Sequence, residues 1–333
     1  MKKKQLNLTS GPILRTLSEL ALPIMASSFL STAYNITDMA WIGMLGSKAV
    51  AGVGVGGMYV WLSQGLSSLA RMGGQVNMAH SLGRGDQKTA AGFAQAALQL
   101  TILFSLLVTL ISMLFTNPLL QFFALNDAET YTSARIYMRI TCGLILFSFL
   151  SQVLTGLFTA QGDSKTPLKA NFFGLVLNMI LDPLLVLGVG PFPRLEVVGA
   201  AVATVTAQII VLLILITGII RDHGESNVLR NIRLLSRPDF TYVKGVFHIG
   251  IPTALQGSIY CIISMILTRM VSGFGAGAIA VQRVGGQIES LSWNTADGFG
   301  SALNAFMGQN YGAGKTDRIK KGYNISLRLL VCW

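Results

Sequence analysis

The sequence predicts an all-α, polytopic membrane protein built as two six-helix lobes in parallel repeat, the second lobe incomplete. Three observations lead there. The 333 residues are 52% hydrophobic and only 12% charged, roughly half the charged fraction of a soluble domain. Charge-free runs long enough to cross a bilayer recur along the chain. A set of landmarks also reappears 229 residues after its first occurrence.

A hydrocarbon core of about 30 Å needs about 20 apolar residues at a helical rise of about 1.5 Å. No charged residue lies between Lys48 and Arg71, Lys88 and Asp127, Arg139 and Asp163, Glu196 and Arg221, or Lys244 and Arg269. Stretches near 17–42, 167–190 and 279–308 hold one or more internal charges, among them Asp38, then Asp182, then Arg283, Glu289 and Asp297. Another apolar stretch begins near Tyr323 and is cut off at Trp333. The expectation is eight complete spans and the start of a ninth. So many such runs cannot all be buried in a soluble core of 35.7 kDa.

The charges sort by side. With the amino terminus in the cytoplasm, the inside segments hold Lys2, Lys3, Lys4 and Arg15, then Arg84 and Lys88, then Lys165 and Lys169. They continue with Arg221, Arg230, Arg233, Arg237 and Lys244, and finally Lys315, Arg318, Lys320 and Lys321, seventeen of the 25 bases. This is the positive-inside pattern. The formal charge of +11 therefore sets topology in the inner cell membrane and meets anionic lipid; it does not mark a nucleic-acid site. Cys142, Cys261 and Cys332 sit in apolar stretches and suggest no disulfide framework or metal site. No nucleophile–base arrangement points to an enzyme, and no motif points to a cofactor.

Pro23 recurs as Pro252, Val55-Gly56-Gly57 as Val284-Gly285-Gly286, and Gly83-x-Gly85 as Gly312-x-Gly314. Because 229 residues cover six spans, both copies start on the same side, a parallel repeat of a kind known in transporters. The expected division is a first lobe over 1–221, a basic cytoplasmic linker over 222–244 and a partial second lobe over 245–333 with spans seven, eight and the start of nine. By the same offset a complete second lobe would reach about residue 450, so the chain is read as truncated at its carboxyl end.

A carboxylate at membrane depth costs about 2.5–3.5 kcal/mol on insertion scales and is by default a functional candidate. Asp38 lies about twenty residues into span one and Asp182 lies mid-span. Asn178 precedes Asp182 by one helical turn and shares its face, as Tyr34 does with Asp38. Pro183 removes an N–H and frees a carbonyl beside the acid. Two carboxylates sharing one cavity disfavour joint ionisation, which makes a site able to take H⁺, or to hold Na⁺ between Asp38, Asp182 and Asn178. Glu289 and Asp297, roughly on one helical face, and Gln256 are candidates to line the cavity, although Glu289 could instead pair with Arg283.

Several motifs together resemble the multidrug and toxic compound extrusion (MATE) family, in its DinF-like branch. They are Leu22-Pro23-Ile24, the run Tyr34-Asn35-Ile36-Thr37-Asp38-Met39-Ala40-Trp41-Ile42-Gly43, and Gly83-Arg84-Gly85-Asp86. Gln161-Gly162-Asp163, Asn178-Met179-Ile180-Leu181-Asp182-Pro183 and Gly308-Gln309-Asn310-Tyr311-Gly312-Ala313-Gly314 complete the set. The resemblance implies a monomeric V-shaped alternating-access antiporter that exports cationic or amphipathic compounds in exchange for H⁺ or Na⁺. It implies an amino-lobe site at Tyr34, Asp38, Asn178 and Asp182, with Tyr137 and Thr204 matching less closely, and a bend in span one at Pro23. The span-seven glutamate of another branch is missing from Pro252–Cys261, which leaves the legible coupling chemistry in the first lobe. Two alternatives stay open: a lipid-linked oligosaccharide flippase, and a non-functional truncated fragment of a transporter.

Overall fold

The computed structural model describes residues 6–222, 228–234 and 236–332. Lys2, Lys3, Lys4, part of the expected linker (223–227) and Trp333 lie outside the described residues. Among the described residues the structure is all helical, with one 3-10 turn, Val228–Asn231, and no strand. The helices are α1 Ile13–Gly43, α2 Ser47–Gly83, α3 Gln87–Leu114, α4 Thr116–Gln121, α5 Ala128–Gly143 and α6 Ile145–Ala160. They continue as α7 Lys165–Val186, α8 Glu196–Arg221, α9 Phe240–Ser272, α10 Ala276–Gly312 and α11 Thr316–Cys332. The joints 84–86, 161–164 and 313–315 share one end of the bundle with segment 6–12, called here the near end; the joints 44–46, 122–127 and 273–275 lie at the far end. Helix α9 starts five residues inside the expected linker, because Asp239 caps it by accepting the Thr241 N–H at 2.8 Å.

Five helices, α1, α3, α7, α8 and α9, are each long and apolar enough to cross a bilayer, and α5 with α6 makes a sixth crossing as one bent pair. The two 37-residue helices α2 and α10 have the length without the hydropathy. Their composition explains this. Helix α2 is rich in Gly, Ala and Ser, twenty of its residues are buried, and it packs on α9, α10, α5, α3 and α6. A helix at the centre of a bundle meets other helices instead of lipid, where small residues allow close approach.

The repeat is carried into the helix boundaries. Adding 229 to the ends of α2 gives the ends of α10, the last residue of α1 gives the last of α9, and the first of α3 gives the first of α11. Both α2 and α10 are entered through a positive-φ glycine, Gly46 at 108° and Gly275 at 94°. Helix α2 packs on α9 much as α10 packs on α1. At the near end α2 and α10 touch reciprocally: a Cβ on Gly83 would fall on the Gln309 carbonyl, and one on Gly312 on the His80 carbonyl. Gln309 and His80 are themselves repeat mates.

The fourth span is broken. Helices α5 and α6 are bent by 52° at Leu144, and the Thr109 hydroxyl of α3 donates to the Cys142 carbonyl at 3.0 Å. A side chain inserted at the ladder, next to Gly143, is a recognised cause of such a kink. At the far end Lys48 pairs with Asp127 at 2.9 Å and Glu129 at 3.1 Å. The Lys48 ammonium and the Thr130 donors hold Asp127 down at about 2. What this exposed joint contributes is present above the ordinary carboxylate range and is lost only as pH falls through about 2.

Two family-like motifs turn out to be joints. Asp86 accepts the Thr89 N–H at 3.0 Å and Asp163 the Thr166 N–H at 3.0 Å, capping α3 and the first turn of α7. Each follows a left-handed glycine, Gly85 at 80° and Gly162 at 82°, a conformation that costs a residue with a Cβ about 1–2 kcal/mol. Asp163→Ala is expected to destabilise the protein by about 1 kcal/mol, a fall in Tm of about 2–4 °C for a chain of this size class. Thermal unfolding of the purified protein measures it.

Candidate functional site

Near the far end, α1, α5, α7 and α8 converge on a polar cluster. Four-residue spacing puts Tyr34 and Asp38 on one face of α1, and Asn178 and Asp182 on one face of α7. Asn178 and Asp182 are completely buried and Asp38 is 7% exposed. Tyr34, Tyr137 and Thr204 are half-buried around them, and the Tyr34 hydroxyl donates to Thr204 Oγ1 at 3.0 Å. The two acids lie within electrostatic range of each other and of both tyrosines. The six candidates from four separate helices therefore form one cluster.

Five polar atoms in this cluster are buried without a hydrogen-bond partner: Asp38 Oδ1, both carboxylate oxygens of Asp182, and both amide atoms of Asn178. Most buried polar groups in folded proteins are paired, and a partnerless carboxylate is the costliest exception. On the far side the cluster is roofed by Met39, Ile42, Val53, Val186 and Val197. Beside it a cavity of about 80 Å³ is lined on one part by Tyr137, Thr141, Ser148, Thr204 and Gln208 and on the rest by Val60, Leu144, Ile145 and Val205, large enough for ordered water against its polar part. Pro183 lies inside α7, so the Met179 carbonyl lacks its helical donor. All-oxygen donors suit a proton or a hard cation. Among the described residues no three His, Cys, Asp or Glu side chains gather to hold a metal ion, and two carboxylates balance a small monovalent charge.

The other expected residues lie elsewhere. Gln256, Glu289 and Asp297 are exposed on α9 and α10, outside the cluster. Glu289 makes no ion pair with Arg283. Tyr260 links Trp61 and Trp293 by edge-on ring contacts at 5.7 and 6.1 Å, an aromatic ladder across α2, α9 and α10. Helix α1 runs without a break through Pro23, which is half-buried.

Sequence reasoning missed the part Arg283 takes in this neighbourhood. The arginine turns away from Glu289, towards α2 and Tyr137. The repeat offset held the signal, since 283 is the mate of Gly54, and repeat mates close to the axis between two lobes face each other.

Comparison with known proteins agrees with this architecture. The MatE family model matches residues 23–184 and 252–333, two segments that begin on the repeated prolines. A probable multidrug resistance protein NorM of Thermotoga maritima is 29% identical over 320 residues, covering 95% of this chain and 68% of the relative. An FAD transporter of Shewanella oneidensis is 27% identical over 335 residues, covering 99% of this chain and 72% of the relative. Among solved structures, an outward-facing multidrug resistance MATE family transporter superposes with a TM-score of 0.85 at 22% identity, covering 99% of this chain and 72% of that one.

Proposed function

The chain belongs to the multidrug and toxic compound extrusion family of membrane transporters, and we propose that it is a counter-ion-coupled exporter whose ion site is the acid pair Asp38 and Asp182. One observation carries the reading: five buried polar atoms on Asp38, Asn178 and Asp182 without a partner in the protein. H⁺ on one carboxylate would let it donate to a neighbouring oxygen, and Na⁺ shared by Asp38, Asp182 and the Asn178 carbonyl would engage the four oxygens, leaving the Asn178 amide N–H₂ to an acceptor. Tyr34, Tyr137 and Thr204 form the wall, and Pro23 is the point where α1 bends as the charge on Asp38 changes. Ion binding then shifts the populations of the two access states through its differential affinity for them.

The near end carries most of the bases, including Arg84, Lys88, Lys165, Lys169 and Lys315, which supports a cytoplasmic near end in the inner membrane. The exported class proposed is cationic or amphipathic, suited to the exposed acids Glu289 and Asp297 and the Trp61–Tyr260–Trp293 ladder. A second reading, an anionic flavin substrate, is favoured by the resemblance to an FAD transporter along 99% of the chain. The test is efflux of a lipophilic cationic dye and of FAD from proteoliposomes, with and without an imposed proton or sodium gradient. One gradient is expected to accelerate one of the two substrates; rates indifferent to both gradients for both substrates refute the coupled-exporter reading.

A further inference from the structure

The second repeat sets one permanent charge beside the acids of the first. Arg283 and its mate Gly54 meet where α10 passes α2: a Cβ on Gly54 would stand 3.3 Å from Arg283 Cγ, and one on Gly57 3.5 Å from Nη2. The bare backbone at 54 and 57 is the slot that receives the arginine stem. From that slot the guanidinium comes within electrostatic range of Asp38 and Tyr137, and the Cβ position of Gly57 is also 3.8 Å from the Tyr137 ring. Its Nε is buried with no hydrogen-bond partner, as is Asp38 Oδ1. Neither residue forms an ion pair within 4.0 Å among the described residues.

The remaining titratable groups around them are Tyr34 on α1, Tyr137 on α5 and Asp182 on α7, with Cys261 of α9 facing Arg283. Arg283 is thus the nearby cation of this site, and a guanidinium stays charged at every relevant pH. Two cations cannot both neutralise one carboxylate in a poorly screened interior without repelling each other. Whatever competes with a bound ion lowers its apparent affinity, and linkage makes the effect reciprocal.

We propose that Arg283 is the site's built-in competitor for the transported counter-ion: a positioning residue of the second repeat that moves onto Asp38 when the ion leaves and is driven off when it returns. Occupancy of a first-repeat site is then converted into a displacement of α10, which carries it into the second repeat. The inference rests on the reading of Asp38 and Asp182 as the ion site and adds how the other half of the molecule senses it.

The test uses the whole protein in proteoliposomes, with the wild type, Arg283→Gln, Arg283→Lys and Asp182→Asn compared. The quantity read is the Na⁺ or proton concentration giving half-maximal efflux of the transported probe, dye or FAD. Removing a neighbouring charge typically shifts such a site by tenfold or more, so Arg283→Gln is expected to lower that concentration by about tenfold or more, and Arg283→Lys to restore most of the wild-type value. A purely structural role would lower the amount of folded protein and leave this midpoint alone. Where Arg283→Gln does not fold, Arg283→Met keeps an apolar stem in the slot and removes the charge, and the same fall is expected. An unchanged midpoint in the folded variant overturns the inference. If Arg283→Gln is unchanged while Asp182→Asn is inactive, only the inference fails; if Asp182→Asn transports like the wild type, the ion site itself is wrong.

Discussion

Asp182→Asn is expected to slow gradient-driven efflux by about a hundredfold or more, a loss of ~2.7 kcal/mol, while the protein stays folded. Asparagine has nearly the shape of aspartate but can neither carry the charge nor exchange the proton. The native carboxylate is completely buried with neither oxygen at hydrogen-bonding distance of a donor, and its polar neighbour Asn178 can face an amide as readily as an acid, so the substitution costs the fold little. A neutral amide is also cheaper to bury than a carboxylate. Efflux from proteoliposomes and thermal unfolding of the same preparation check the two halves of the prediction. Wild-type efflux would take Asp182 out of the mechanism, whereas lost efflux with a lowered Tm would make the acid structural. Asp38→Asn is expected to behave alike on efflux.

Gly83→Ala is the substitution with the largest expected effect on stability. Its new methyl group would land on the Gln309 carbonyl oxygen, which belongs to a helix backbone and cannot swing aside. Overpacking of this kind costs about 1–3 kcal/mol, and here it pries α2 from α10 at the seam between repeats. Two neighbours serve as controls. Gly43, in α1, has nothing within 4 Å of its Cβ position and an ordinary φ, so Gly43→Ala is expected to be neutral or stabilising. Gly85 is equally open but left-handed at 80°, so Gly85→Ala isolates backbone strain. Melting curves for the three variants separate crowding from strain; equal shifts at 83 and 85 would mean that the close approach contributes nothing.

Much of this fold can be read from charge-free runs because lipid demands them, and the places where that reading falls short are those where lipid is not the neighbour. Helix α2 lacks the hydropathy of a span since other helices surround it, and α10, exposed along its middle, carries glycines, Glu289 and Asp297 there in place of an apolar run. The break at Leu144 left no proline to announce it; it depends on Thr109, a residue from another span. The motifs at Asp86 and Asp163 were legible as motifs, but their capping role needed the turn geometry around two left-handed glycines. Within the candidate site, helical spacing paired Tyr34 with Asp38 and Asn178 with Asp182, yet spacing along one helix says nothing of which helices meet. Tyr137 and Thr204 came only from resemblance. Arg283 stayed hidden because its partners in space are a glycine and an acid on helices far away in sequence.

The backbone-on-backbone seam at Gly83 and Gly312 has a mechanical consequence. At that contact the two backbones meet directly, with the His80 and Tyr311 rings stacked beside them and Gln75 donating to the Ser301 carbonyl farther along, so the seam has the form of a fulcrum. Helix α2 extends from it for 37 residues, a lever arm of about 55 Å. A tilt of about 10° at the fulcrum would carry the opposite tip through roughly 10 Å, more than a side chain's length.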